Sequence, residues 1–438
     1  MIEIANIILQ IFIFFIIFSF PLNKRILNNI FYFKNVSLGF FDSHAINIIF
    51  FSYFSLFTSL LSIDQKLFFK VYFCISLIFV LLNINFYYQK IKKENFVIFF
   101  FFFVIIFSIF IFIAQNLRLE WDGHVWISKA LIFFNNEQIS NLNETIHSEY
   151  PHLGTYLWAF FWNNSFLKLE YFGRFYYVYL YVVSIFLILE ILNVKNNFIK
   201  IILIIFCILL TFEPYYFAGY QEYLIFSTLI IASRYIYIYN LSERKNIKLI
   251  FLIFLILYIN CWFKNEGKLY FILFSIVTIY MSNIQKYKKL FFLFLVFFFI
   301  FLQSVLQNYL INASLLGQEA LQINILKYIN DIEFLFLKLF KIILNMIVVY
   351  IKHPLWIVIF LSIFIQIFLL KTTNLNTKYF LICLTLNLLS IIGVYASFDN
   401  IDLMLKLTLD RVLFQTSGFY LVIFFSVLNN KKFLIKRL

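Results

Sequence analysis

Val97-Ile98-Phe99-Phe100-Phe101-Phe102-Phe103-Val104-Ile105-Ile106-Phe107-Ser108-Ile109-Phe110-Ile111-Phe112-Ile113-Ala114 runs without a single charge. A helix of this length rises about 27 Å, close to the roughly 30 Å hydrocarbon thickness of a bilayer. Inside lipid every backbone N–H and C=O must be bonded within the protein, which leaves helices or closed strand barrels. The five consecutive phenylalanines Phe99 to Phe103 do not alternate between two faces, so a barrel strand is excluded.

Similar runs lie near residues 2–20, 45–63, 67–87, 97–115, 172–193, 199–212, 223–240, 247–263, 268–283, 289–310, 355–370, 379–396 and 412–428. The sequence therefore predicts an all-α polytopic membrane protein of about thirteen transmembrane helices. The first run carries Glu3, has no basic flank before it and no small-residue cleavage site, and reads as a retained helix. The 438 residues are 63% hydrophobic and 13% charged, which excludes a separate soluble domain of ordinary composition.

The 65 Phe and 29 Tyr are enriched together with Ile, Asn and Lys while Gly is only 9, a pattern of an AT-rich genome and not of an aromatic binding surface. The formal charge of +14 falls in short clusters between the runs, as membrane topology requires, so membrane lipids and not nucleic acid are the expected partner. Cys74, Cys207, Cys261 and Cys383 stand singly and carry no disulfide or zinc spacing.

Lys24-Arg25, Lys90 to Lys93, Lys195 to Lys200, Arg244-Lys245, Lys286 to Lys289 and Lys431 to Arg437 share one side if the spans alternate. By the positive-inside rule that side is cytoplasmic. The first large loop, 115–170, then lies outside, with Glu213 to Glu222, Lys264 to Lys268, Asn312 to Glu333 and Phe398 to Arg411. Phe334 to Tyr350 carries Lys338 and Lys341 and ends at Lys352-His353-Pro354, so it reads as an amphipathic helix in the outer interface.

The outer segments gather the groups able to do chemistry. Asp122, Trp126 and Lys129 follow helical spacing and share a face, with His124 elsewhere. Partial desolvation suits Asp122 to general-base work; the competing reading makes it the N-cap of an interfacial helix. His147 and Glu149 precede a helix start, where Glu149 is either a substrate or metal contact or a dipole partner. Glu222 opens an apolar run, a costly place for an unpaired carboxylate. Lys264 and Glu266 form a tight turn and are able to pair with each other. Arg411 stands beside Asp410 at the mouth of the last run, suited to grip a lipid phosphate or to snorkel to headgroups.

Trp121-Asp122 with Lys129-Ala130, then His147-Ser148-Glu149-Tyr150-Pro151, then Gly219-Tyr220-Gln221-Glu222, then Lys264-Asn265-Glu266-Gly267, then Asp410-Arg411-Val412-Leu413 appear in that order. Together they resemble the bacterial GT-C-type membrane glycosyltransferases, including the protein O-mannosyltransferase-like and lipid A aminoarabinose transferase-like enzymes. The resemblance spans about Arg118 to Phe425; residues 1–96 look like added N-terminal helices before a 97–438 glycosyltransferase membrane domain.

The resemblance implies a polyprenyl-phosphate sugar donor and a cell-envelope acceptor, lipid, polysaccharide or protein, on the outer face of the bacterial inner membrane. It assigns catalysis to Asp122 and Glu222, the latter where the family usually carries Asp. Lys129, His147, Glu149, Lys264, Glu266 and Arg411 become substrate contacts. No cofactor is required with certainty, and a divalent metal held by Glu149 or Glu222 is an open option. The competing classes are a lipid-linked oligosaccharide flippase or other transporter, which would place charges inside several spans, and an O-antigen polymerase or ligase, which would use Arg and His in a late loop.

Overall fold

The computed structural model describes residues 2–18, 39–82, 84, 96–116, 119, 121–192, 194, 196–217, 219–242, 244–311, 332–369, 375–398 and 400–429. The basic clusters Lys24-Arg25, Lys90 to Lys93 and Lys431 to Arg437, the segment 312–331, Arg118 and Glu120 lie outside them.

The described residues form helices and no strand. Those of more than ten residues are α1 (Ile2–Phe18), α2 (Phe40–Leu60), α3 (Gln65–Leu82), α4 (Phe96–Asn116), α5 (Trp121–Phe134), α6 (Leu153–Asn163), α7 (Phe175–Leu189) and α8 (Asn197–Thr211). They continue with α9 (Glu222–Leu241), α10 (Ile247–Tyr258), α11 (Glu266–Met281), α12 (Lys286–Ile311), α13 (Ile332–Lys352), α14 (Pro354–Phe364), α15 (Leu375–Ser397) and α16 (Ile401–Leu428).

Among the described residues eight helices are long and apolar enough to cross a membrane, nine if α13 and α14 count as one broken span. The chain is thus a polytopic all-α membrane protein. Thirteen apolar runs exceed that number because several of them make short helices. The helix α8 has 15 residues and α11 has 16, about 22 to 24 Å of rise, short of a full bilayer core. The break between α13 and α14 bends the chain by 95° at His353-Pro354, where proline cannot continue the preceding hydrogen-bond ladder.

The burial pattern separates centre from rim. In α9, 94% of the span is buried, against 22% in α12. The outer side of α12 shows Phe291, Phe294, Phe297, Phe298 and Phe301 exposed. A row of large exposed apolar side chains is stable only against lipid.

The central pair is α9 and α16, which run parallel. Gly418 lets them touch, since a Cβ there would sit 2.6 Å from the Phe226 carbonyl oxygen. Small residues permit close backbone approach between membrane helices, where no hydrophobic effect drives association. Phe226 and Phe414 stack at 4.7 Å and 9° one turn above, which fixes the register that later matters for Glu222 and Arg411.

Helices α1 to α3 pack into this body. Asp42 at the start of α2 receives a two-pronged contact from Arg234 of α9, Nε to Oδ1 and Nη2 to Oδ2 both 3.2 Å. The Glu190 carboxylate beyond α7 accepts from the Phe41 N–H at 3.2 Å beside them. This charged group lies at the opposite end of the bundle from residues 121–170. Carboxylates are therefore not confined to the loops of one end: Asp42, just ahead of an apolar run, is fully buried.

Candidate functional site

At the other end, four segments meet. The first is α5, whose N-terminus rests on the loop before α9. Gly219 there has φ +104°, and a Cβ on it would lie 3.3 Å from the Gly123 Cα and 2.9 Å from Trp158. Glycine supplies both the left-handed backbone and the close approach. Arg174 holds the same loop from behind, donating to the Phe217 carbonyl at 3.0 Å and pairing with Glu170 at 2.7 Å.

The second is the N-terminus of α9, where Glu222 is fully buried. The third is the turn Lys264-Asn265-Glu266-Gly267 between the helical turn Asn260–Phe263 and α11. Gly267 is required there because a Cβ would fall 2.0 Å from the Asn260 carbonyl oxygen. The fourth is α16, which brings Arg411 to the level of Glu222.

The four converge in one ion network. Arg411 Nε donates to Glu222 Oε1 at 2.8 Å. Its Nη2 lies 2.6 Å from Glu222 Oε1 and 2.5 Å from Asp122 Oδ2. Lys264 Nζ donates to the same Glu222 oxygen at 2.9 Å and pairs with Glu266 at 3.0 Å. The Arg411 guanidinium also lies over the Tyr220 ring, 4.7 Å from its centre, a cation–π contact strengthened by desolvation. Burial alone would lower the Lys264 ammonium, but the Glu222 and Glu266 carboxylates outweigh it and hold the group above the ordinary lysine range.

Two features give this network an unfinished character. Glu222 Oε1 carries both cations, while its buried Oε2 has no partner among the described residues. Of the two carboxylates on Arg411, Glu222 is inaccessible whereas the Asp122 side chain is 32% exposed. The guanidinium is fixed from below and loosely covered from above.

Five of the eight residues singled out from sequence, Asp122, Glu222, Lys264, Glu266 and Arg411, meet in this network. The other three form a neighbouring cluster. Lys129 is fully buried and donates to the His147 carbonyl at 2.5 Å and the Tyr150 carbonyl at 3.2 Å. Its ammonium lies 5.5 Å from the Trp126 ring centre and 5.8 Å from that of Tyr150. His147, in a left-handed conformation at φ 57°, pairs with Glu149 at 3.0 Å. Lys129 clips the 147–150 turn onto α5. Burial pulls its ammonium down to about 7, with Glu149 opposing the shift.

Asp122 is corrected in one respect. The helix begins at Trp121, so Asp122 is a first-turn residue whose carboxylate meets Arg411 and not a cap. The two carboxylates considered for a metal, Glu149 and Glu222, fall in different clusters. Among the described residues no group of three or more His, Cys, Asp or Glu side chains is arranged to hold an ion.

Sequence reasoning missed His353 and the role of Asp410. The His353 ring, at the bend between α13 and α14, contacts Asp410 through Nε2, and the Tyr216 hydroxyl lies 3.5 Å from the other Asp410 oxygen. Asp410 and Arg411 thus point to different partners although adjacent in the chain. A proline after a histidine at the end of an amphipathic run was the available signal. Arg174 was likewise missed, a basic residue interrupting aromatic sequence. Comparisons with protein families, with characterised proteins and with solved structures give no match.

Proposed function

We propose that the chain is a GT-C-type membrane glycosyltransferase that moves a sugar from a polyprenyl-phosphate donor to a cell-envelope acceptor at the outer face of the bacterial inner membrane. The observation that carries this reading is the shared Arg411, held by buried Glu222 and covered by the more accessible Asp122.

A lipid-linked donor keeps its chain in the bilayer and offers its phosphate and anomeric carbon at the membrane boundary. Among the described residues the cations of this network are Arg411 and Lys264. Against them stand Asp122, Glu222 and Glu266, so this group carries a net charge of −1 when all are ionised. A phosphate therefore gains Arg411 only by displacing a carboxylate, and Asp122 is the displaceable one. Guanidinium is suited to this exchange because its fork matches carboxylate and phosphate alike.

Displacement frees Asp122 for a second task. The acceptor hydroxyl oxygen attacks the anomeric carbon and its proton passes to Asp122. The bond from that carbon to the phosphate oxygen breaks, and its electron pair leaves with the lipid phosphate, stabilised by Arg411 and Lys264. Direct displacement inverts the anomeric centre. Glu222 fixes both cations, and Lys129, His147 and Glu149 shape the loop that carries Asp122.

A transporter would draw on charges inside the bundle, and Asp42 with Arg234 is such a pair. It closes on itself through two hydrogen bonds, which fits a structural clamp. The deciding experiment incubates membranes containing the protein with radiolabelled polyprenyl-phosphate sugars and follows the label. Movement of label from the lipid fraction into a covalent envelope product supports transfer. Label that crosses to the other leaflet while still lipid-linked would replace this reading with transport.

A further inference from the structure

Away from the ion network, the joint between α2 and α3 faces the C-terminal end of α5 across a cleft of about 200 Å³. Its floor is Ser59, Gln65, Phe133 and Tyr156, all buried. Its rim is polar, with Asp64, Asn136 and Glu137. We infer that this cleft binds one neutral, polyhydroxylated ring, a saccharide unit of the acceptor.

The central observation is Gln65. The side chain is 2% exposed. Its Nε2 donates to the Tyr156 carbonyl at 3.4 Å, yet its buried Oε1 has no partner among the described residues, and the residue lines the cleft. A buried acceptor left unsatisfied costs about 1 to 3 kcal/mol, so the site is built to receive an O–H or N–H donor.

The remaining lining selects among donors. Among the described residues no Lys or Arg lines the cleft while Asp64 and Glu137 do, which disfavours phosphate and any anionic ligand. The carboxylates are already oriented by local donors. Asp64 accepts from the Leu67 N–H at 2.7 Å, and Glu137 from Asn135 and Asn141 at 3.3 and 3.1 Å. They retain lone pairs for hydroxyls without converging on a cation. Phe133 and Tyr156 meet edge to face at 5.2 Å and give the floor an apolar aromatic component, suited to the C–H face of a sugar ring. The volume is below the roughly 300 Å³ of sites for drug-sized ligands, so it takes a single ring and not a chain.

The position adds to the argument. Asp122 and Phe133 stand near opposite ends of α5, about 16 Å apart along the helix. A ring in the cleft is therefore not the reacting group but a remote part of the same acceptor, whose binding energy helps to orient the reacting hydroxyl. The scaffold is rigid: the Ser59 hydroxyl and His152 Nε2 are 2.9 Å apart, and the Thr58 hydroxyl lies 3.0 Å from that of Tyr156.

This assignment to an acceptor rests on the glycosyltransferase reading, and the test separates the two. The full-length protein in lipid nanodiscs, free of sugar detergents, is titrated by saturation-transfer difference NMR with glucose, galactose, N-acetylglucosamine, rhamnose and glucose 6-phosphate. At least one neutral sugar should bind saturably and glucose 6-phosphate should not compete. Gln65→Leu should weaken that binding tenfold or more, the surface variant Glu137→Gln at least threefold, and Arg411→Ala should leave it unchanged. Absence of binding by every sugar in the panel, or binding that survives both Gln65→Leu and Glu137→Gln, overturns the cleft assignment. Saturable binding without any transfer of label from a lipid donor would remove the glycosyltransferase reading and leave the cleft a saccharide site.

Discussion

Arg411 and Asp122, drawn from the last membrane helix and the first large loop, lie 2.5 Å apart with the aspartate on the accessible side of the guanidinium. The contact keeps the proposed base and the proposed phosphate site mutually occupied until a donor arrives. On the proposed function, donor binding and release of the base are one event, a coupling that limits proton abstraction while the site is empty.

The first consequence is an opposite effect of one substitution on binding and rate. Asp122→Asn removes the charge that competes for Arg411. Donor affinity should rise by about 0.5 to 1 kcal/mol, the scale of a partly exposed ion pair. Transfer should fall by about 10² to 10⁴, as for loss of a general base. Binding is measured with the labelled donor in nanodiscs and rate by label transfer. A parental transfer rate in Asp122→Asn would leave the residue as an ornament on Arg411.

The second concerns the guanidinium itself. Arg411→Lys keeps the charge but cannot reach Glu222 and a phosphate together through a planar fork. Donor affinity should fall by about 1.5 to 3 kcal/mol, the range for a hydrogen bond to a charged group. Arg411→Ala should be worse, because it also leaves Glu222 with Lys264 alone. Equal donor affinity in the parent and both variants would reduce Arg411 to a structural counter-ion.

Much of this site was legible because membrane sequence is so poor in charge. Asp122, Glu222, Lys264 and Arg411 stood out at the ends of apolar runs, where a charge needs a reason. The helices were legible for the same reason, from unbroken runs such as Val97 to Ala114. What remained hidden depends on packing across helices. That Asp410 turns to His353 while Arg411 turns to Glu222 follows from the rotation of α16 against α9, set by Gly418 and the Phe226–Phe414 stack. The cleft at Gln65 was hidden too, since that residue reveals itself only when its buried oxygen is found without a partner among the described residues.

Lys129 gives a pH signature. Its folded-state value is held near 7 by burial, against an ordinary value of 10.5. Between these limits the unfolded chain retains a proton that the folded chain has released, so stability contributed by this site rises with pH across the window. Below about 7 both states are protonated and the dependence vanishes. Thermal unfolding of the parent relative to Lys129→Met should therefore improve from about pH 7 toward about pH 10. A constant difference at every pH would show that the ammonium stays protonated between its two carbonyls.

The topology is open to a direct check. The alternation of basic clusters puts Asn143, in the loop after α5, outside and Lys286, at the start of α12, inside. Single cysteines at these positions, in a background lacking the four native cysteines, are treated with an impermeant thiol reagent in intact cells. Labelling should occur at position 143 and not at position 286. The reverse pattern would turn the ion network toward the cytoplasm and remove an outer-face donor.

The charged group at the opposite end tests whether the interior charges carry structure or transport. Asp42 is buried and bidentate with Arg234, and its Oδ2 also accepts from the Gly39 N–H at 2.9 Å. Removing one partner strands the other charge, so Arg234→Met should cost about 3 to 5 kcal/mol. Neutralising Asp42 as well, as Asp42→Asn with Arg234→Met, removes that stranded charge and keeps an acceptor for Gly39; the share of the lost stability due to Asp42 should return, while Glu190 stays beside the site without its cation. Donor binding at Arg411 should be parental in the refolded double variant, because the two sites lie at opposite ends of α9. Stability is read by thermal unfolding and function by label transfer. A stable double variant that binds donor but no longer transfers label would show that these interior charges act in the turnover itself, and the structural-clamp reading of Asp42 and Arg234 would be abandoned.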